Sequence, residues 1–371
     1  MPAPTPTTTA KPATEAAPWR EESIAFGSGA DELYGILTLP AGEGPHPAIV
    51  LISGSVDTAT GVRSGASSRY FREHAVEMAR HGFAALRYDP PGVGRSTRVS
   101  GFETLDQRAE EAVAALRALQ ARTDIRADRV GLWGISQGGW VIAMAAASYP
   151  QDVAFLISVS GSGVSVAEQQ VYSIETQSRA AGLAEADVDK AVLFGRLLVD
   201  WQLDEPIYRA ANETTAQTLG PGPWSDFLAL VYEPGEITLA EGLERGIAIL
   251  CSVQDEPWAE FLYLEELYLP QLEGIPPEQV AALRALTGPN LLNDPRAYMT
   301  WVRCPVLAVF GEDDLLQPTE RSAALYEQYL TKAGNDGFQI AVIPGVGHAL
   351  YVSMPAYRQA LDEWLDGLYL D

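Results

Sequence analysis

Lysine is almost missing from this chain of 371 residues: it occurs at Lys11, Lys190 and Lys332, and arginine supplies the other cations. Lysine and arginine together number 25 against 49 acidic residues, a formal charge of −24. A surface so acidic repels phosphate, which argues against nucleic acid or an anionic membrane as partner. The charge is read as serving solubility and says nothing about a reaction. Cysteine is as scarce. Cys251 and Cys304 lie far apart without metal-type spacing, which excludes a disulfide framework and leaves at most one bridge. No apolar run reaches the roughly 20 residues that a membrane-spanning helix needs, and there is no internal repeat. Histidine occurs four times, at His46, His74, His81 and His348, so few positions can serve as a general base.

Residues 1–19, rich in proline, threonine and alanine, lack the apolar segment of a signal peptide and are expected to form a disordered leader. The same composition fits what remains after an export signal is removed, so the compartment stays open. Beyond the leader the pattern alternates. Strand-like runs at 22–26 and 33–39 flank Gly27-Ser28-Gly29-Ala30-Asp31 and suggest an opening hairpin. A continuous apolar run at 47–52 reads as a strand covered on both faces, 83–88, 154–160 and 305–310 read as further buried strands, and 338–343 as the last strand. Helices are expected at 68–80, 104–122, 320–333 and 355–368. Between 164 and 294 the alternation stops. Helical stretches at 168–181, 185–201, 257–272 and 277–286, parted by Pro and Gly breaks, read as an inserted lid. The core is then split into 20–163 and 295–371. Strands alternating with helices mean an α/β domain with a mostly parallel sheet and helices on both faces. Chemistry in such sheets sits beyond the C-terminal ends of the strands.

One stretch organises the rest. The apolar run at 130–135 leads into Gly134-Ile135-Ser136-Gln137-Gly138-Gly139, and an Ala-rich run follows. Strand, sharp turn and helix in that order force the serine into a strained conformation with its hydroxyl at the top of the sheet. Gly134 and Gly138 are required because a Cβ there would collide with the neighbouring strand or helix. The helix start also aims free N–H groups at Ser136, favouring negative charge beside it.

A serine hydroxyl needs a base at neutral pH. His46 precedes a strand and so lies at the wrong end of the sheet, and His74 and His81 sit in or just after a helix, away from the strand ends. His348, in Gly345-Val346-Gly347-His348, follows the last strand and is the candidate base. An acid must orient the imidazole, and Asp313 and Asp314 both follow the preceding strand. Asp314 lies one residue deeper in the loop and is preferred, leaving Asp313 as a solvated carboxylate. The order Ser136, Asp314, His348 is the one that accompanies this kind of turn. Donors for an oxyanion are expected from the N–H of Gln137 and, from the loop Ser53-Gly54-Ser55, the N–H of Ser55, with Val56 as the alternative. The Gln137 side chain either positions substrate or is an ordinary polar residue at a helix start. No metal or cofactor is called for.

Together with Asp89-Pro90-Pro91-Gly92-Val93-Gly94-Arg95-Ser96, Gly311-Glu312-Asp313-Asp314 and Gly347-His348, this motif resembles the α/β-hydrolase superfamily. More narrowly, the chain is similar to bacterial serine esterases of the dienelactone hydrolase and prolyl oligopeptidase branches. The resemblance covers about residues 20–163 and 295–371 and the insertion only loosely. It implies an eight-stranded α/β-hydrolase sheet with a helical cap, and hydrolysis of a small-molecule carboxylic ester through an acyl-enzyme. The familiar His-Gly of the oxyanion loop is Ser53-Gly54 here, which bears on the second oxyanion donor. The Asp89 loop is expected to brace the top of the sheet. A peptidase, amidase or thioesterase would use the same three residues, and a non-catalytic binder would be expected to lack one of them. A haloalkane dehalogenase is disfavoured because it requires aspartate where Ser136 stands. The aromatics of the insertion (Trp201, Tyr208, Trp224, Phe227, Tyr232, Trp258, Phe261, Tyr263 and Tyr268) either line an apolar pocket over Ser136 or, for most of them, pack the insertion's own core.

Overall fold

The apolar runs pair into one eight-stranded sheet, seen in a computed structural model that describes residues 19–55, 64–99 and 103–368. Its strands are β1 (Trp19–Ser28), β2 (Asp31–Pro40), β3 (His46–Ile52), β4 (Ala84–Tyr88), β5 (Ile125–Ile135), β6 (Leu156–Val159), β7 (Val306–Gly311) and β8 (Phe338–Ile343), in the order β1-β2-β4-β3-β5-β6-β7-β8. The opening hairpin is antiparallel and joins β4 antiparallel; every other pairing is parallel. The expected leader lies outside the described residues except for Trp19, which is instead the first residue of β1, opposite Pro40.

Period-two alternation divides each central strand between two cores. Ala48, Val50 and Ile52 of β3 join one cluster, with α2 (Leu105–Gln120), α3 (Gln137–Ser148) and later α12 (Thr319–Lys332). Ile49 and Leu51 join the other, with α1 (Arg69–Arg80) and α13 (Pro355–Gly367). Strands wetted on neither face read as mostly apolar runs, which is why they were visible in the sequence; the buried polar exceptions, Arg87 of β4 and Ser158 of β6, are hydrogen-bonded to the Ala66 carbonyl and the Tyr326 hydroxyl. The start of α2 is set by a reciprocal cap: the Thr104 hydroxyl accepts from the Gln107 amide, and the Gln107 side chain accepts from the Thr104 amide.

Between β6 and β7 the described residues hold helices and no strand. These are α4 (Val166–Ala180), α5 (Glu185–Gln202), α6 (Arg209–Leu219), α7 (Trp224–Tyr232), α8 (Leu239–Val253), α9 (Leu269–Glu273), α10 (Val280–Leu291) and α11 (Arg296–Met299). Entry and exit meet where the Val166 amide donates to the Asn293 carbonyl at 3.3 Å. The insertion has its own core, in which the ring of Phe194 packs 5.6 Å from Phe227 and 4.8 Å from Trp258. The single helix expected at 257–272 is broken. Tyr263 takes a left-handed φ of +53°, which ends one short helix (Ala259–Leu262) and starts a wide π turn (Leu264–Tyr268) before α9. The helices α6, α7 and α8 were not foreseen. Both cysteines are free. No described helix is long and apolar enough to cross a membrane.

Candidate active site

Ser136 joins β5 to α3 with φ 55° and ψ −123°, a conformation that costs a non-glycine residue about 1–3 kcal/mol. Packing leaves the turn no other course. A Cβ on Gly134 would stand 2.4 Å from the Gly138 carbonyl oxygen, and one on Gly138 would stand 2.8 Å from that of Ile52. Both obstacles are backbone and cannot swing aside. The Ser136 amide donates to Val159 of the adjoining strand at 2.9 Å. The first N–H groups of α3 have no carbonyl within their own helix to bond.

Asp314 lies in the loop after β7 and is 3 % exposed. Its Oδ1 accepts the amides of Leu316 at 2.8 Å and Gln317 at 3.0 Å, and its Oδ2 lies 2.7 Å from Nδ1 of His348. A carboxylate held in this way cannot rotate, and it assigns the proton to Nδ1, leaving Nε2 of a neutral ring as an acceptor. Three side chains on one face of α4 reach the same loop: Tyr172, Thr176 and Gln169 donate to the carbonyls of Asp314, Leu315 and Leu316 in turn. Asp313 is exposed, as expected of a solvated carboxylate. The Ser160 hydroxyl donates to the His348 carbonyl at 2.8 Å, so the end of β6 holds the histidine loop beside the serine turn. The Ser136 hydroxyl and the imidazole share no hydrogen bond in this structure; such contacts commonly tighten only when substrate is present.

The loop after β3 passes against the serine: a Cβ on Gly54 would lie 3.3 Å from Ser136 Cβ and 3.8 Å from its Oγ. Ser55 is exposed at the end of this stretch, and Val56 lies outside the described residues. Sequence reasoning missed Arg108 of α2. This guanidinium is 2 % exposed, and its Nη2 donates to the carbonyls of Ser53 at 2.6 Å and Gly54 at 3.0 Å. Its Nη1 donates to Oε1 of Gln137, so that side chain is held by a cation, a role not foreseen for it. A signal was present. Arg108 falls in the apolar stripe Leu105, Ala109, Ala112, Leu116, where a cation cannot stay without partners.

The remaining histidines are structural. His46 starts β3 opposite Ile125, at the far end of the sheet. His74 is wholly buried, with its ring 4.8 Å from that of Trp133, and burial pushes it down to about 4. His81 closes α1 and bonds Asp362 at 2.9 Å. The Asp89 loop is bracing, as expected: Asp89 Oδ1 accepts from Ala66, and the Ser96 hydroxyl donates to the Asp89 carbonyl. Trp224, Phe227 and Trp258 are buried in the insertion's core. A cavity of about 440 Å³ opens inside the insertion, lined by Trp201, Leu230, Leu243 and Leu283 among others, but by none of Ser136, Asp314 and His348.

The sequence signature of the Alpha/beta hydrolase family matches residues 49–359. An uncharacterized 31.7 kDa protein of Escherichia coli is 23% identical over 290 residues, 78% of this chain and 80% of its own length. Among solved structures, the α/β hydrolase GrgF of Penicillium sp. sh18 is 18% identical with a TM-score of 0.52, covering 94% of this chain and 98% of its own. Proline iminopeptidase of Mycobacterium smegmatis is 17% identical with a TM-score of 0.53 and the same two coverages. At these identities the likeness is one of fold.

Proposed function

The chain belongs to the α/β-hydrolase family and is a hydrolase, and from that premise we propose that it cleaves carboxylic esters through an acyl-enzyme. Ser136 attacks the ester carbonyl while His348 Nε2 takes its proton. Asp314 holds the ring and stabilises its charged form. The N–H groups of Gln137 and Ser55 receive the oxyanion. His348 then gives the proton to the leaving alcohol. Water, activated by the same imidazole, attacks the acyl-serine and releases the acid. The substrate is a small ester, the helical insertion is its cap, and the chemistry calls for neither metal nor cofactor.

One observation carries the reading: the 2.7 Å contact of His348 Nδ1 with a carboxylate whose other oxygen is saturated by two backbone amides. It presents a basic nitrogen on the loop after β8, at the same end of the sheet as the strained serine that follows β5. The test is hydrolysis of p-nitrophenyl acetate and butyrate by the wild type and Ser136→Ala. Turnover by the wild type that falls to the buffer rate in the variant is expected; equal turnover by both rejects the proposal.

A further inference from the structure

We propose that Arg108 is a positioning residue that sets the direction of the oxyanion donors. This rests on the hydrolytic reading above and extends it to a residue outside the three reacting side chains. In a trans peptide the C=O of one residue and the N–H of the next point in opposite directions. Nη2 of Arg108 holds the carbonyls of Ser53 and Gly54 at 2.6 and 3.0 Å, so the N–H groups of Gly54 and Ser55 are turned away from it. These peptides belong to the segment that passes against Ser136 Cβ and Oγ. A donor bonded to a carbonyl also polarises that peptide and strengthens the hydrogen bond its N–H can give.

The other arm of the guanidinium holds the Gln137 side chain, on the residue whose own N–H is the first oxyanion donor. One planar fork therefore spans both walls of the oxyanion hole, the loop after β3 and the start of α3. Lysine lacks that fork, since its single ammonium cannot hold two walls at fixed spacing. The position also shows what the arginine is for. Leu105, Ala109 and Ala112 around it are buried, so an apolar side chain would pack here without the desolvation that a guanidinium suffers.

The test compares the full chain with Arg108→Met and Arg108→Lys. It measures kcat and KM on p-nitrophenyl acetate, melting temperature, and hydrogen exchange of peptides covering 49–55. Arg108→Met should lower kcat by roughly 10²–10³-fold, as loss of an oxyanion donor does, with KM changed by less than about threefold. Exchange at 49–55 should quicken. Arg108→Lys should recover part of kcat while melting like the wild type. If Arg108→Met fails to fold, Arg108→Lys decides alone: wild-type kcat in it overturns the proposal. So does unchanged exchange, or a loss shared equally by kcat, KM and melting temperature. A fluorophosphonate probe separates the two readings. If wild-type Ser136 is neither labelled nor active, the hydrolytic reading fails, and the exchange experiment still decides whether Arg108 orders the loop.

Discussion

Ser160 donates its hydroxyl to the main-chain carbonyl of His348 at 2.8 Å, one residue after Val159 accepts the amide of Ser136 at 2.9 Å. Two consecutive residues at the end of β6 thus hold the loop of His348 and the turn of Ser136, the base and nucleophile of the proposed reaction. Ser160 is itself left-handed, at φ +48°, so strained non-glycine residues close two adjacent strands at the same edge. Strain of this kind persists only where surrounding contacts over-determine it.

Removing the Ser160 hydroxyl tests that coupling. Ser160→Ala keeps the backbone and deletes one hydrogen bond, worth about 0.5–1.5 kcal/mol net. The expected result is a kcat lowered by roughly 2–13-fold, with fluorophosphonate labelling slowed in step and KM little changed. Wild-type rates would mean that the bond from the Asp313 amide to the Val346 carbonyl holds the histidine loop without Ser160.

Asp314→Asn follows from counting acceptors. Oδ1 accepts two amides and Oδ2 accepts the imidazole, so every contact asks the carboxylate for an acceptor and none for a donor. Asparagine has a single oxygen. Its NH₂ must face either the Leu316 and Gln317 amides, breaking the loop, or Nδ1, forcing the other tautomer and removing the base. We expect kcat to fall by about 10³–10⁴-fold while the variant folds, measured on p-nitrophenyl esters alongside melting temperature. A loss under about tenfold would remove Asp314 from the reaction.

Much of this arrangement was legible because it is local. Gly134 and Gly138 announce a turn that only glycine can make, and mostly apolar runs announce strands wetted on neither face. Ser136 and Asp314 stood out because each closely follows a buried strand, and His348 because it lies on the loop after the last strand. What stayed hidden depends on contacts far along the chain. Arg108 finds its carbonyl partners 55 and 54 residues earlier, and no local pattern names them. The break at Tyr263 reflects a left-handed backbone that its residue type does not favour. The helix α8 was overlooked although Thr238 and Glu241 form a reciprocal cap at its start, because Gly242 and Gly246 weaken its helical signal. The opening strands are longer than expected at both ends, because exposed Arg20 and Glu21 continue an edge that the hydropathy pattern does not mark.

His74 yields a prediction about stability rather than catalysis. It lies under Trp133, Tyr70 and Tyr357, with its Nδ1 2.9 Å from the Tyr70 carbonyl. Burial pushes its pKa from 6.5 to about 4, and the acidic neighbours Glu73 and Glu77 offset that only in part. The folded state therefore prefers the neutral ring. Its contribution is complete above pH 6.5, where the unfolded chain is neutral too, and is lost as pH falls from 6.5 through 4, because the unfolded chain binds the proton first. The amount at stake is about 3 kcal/mol. Glutamine at this site can still donate to the Tyr70 carbonyl and does not titrate. His74→Gln should be less stable than the wild type at pH 7, with the gap narrowing steadily towards pH 4. Denaturant unfolding of both proteins across that range measures it. Parallel stability curves would show that the ring is protonated as readily in the fold as outside it, and the buried site under Trp133 would then have to admit water.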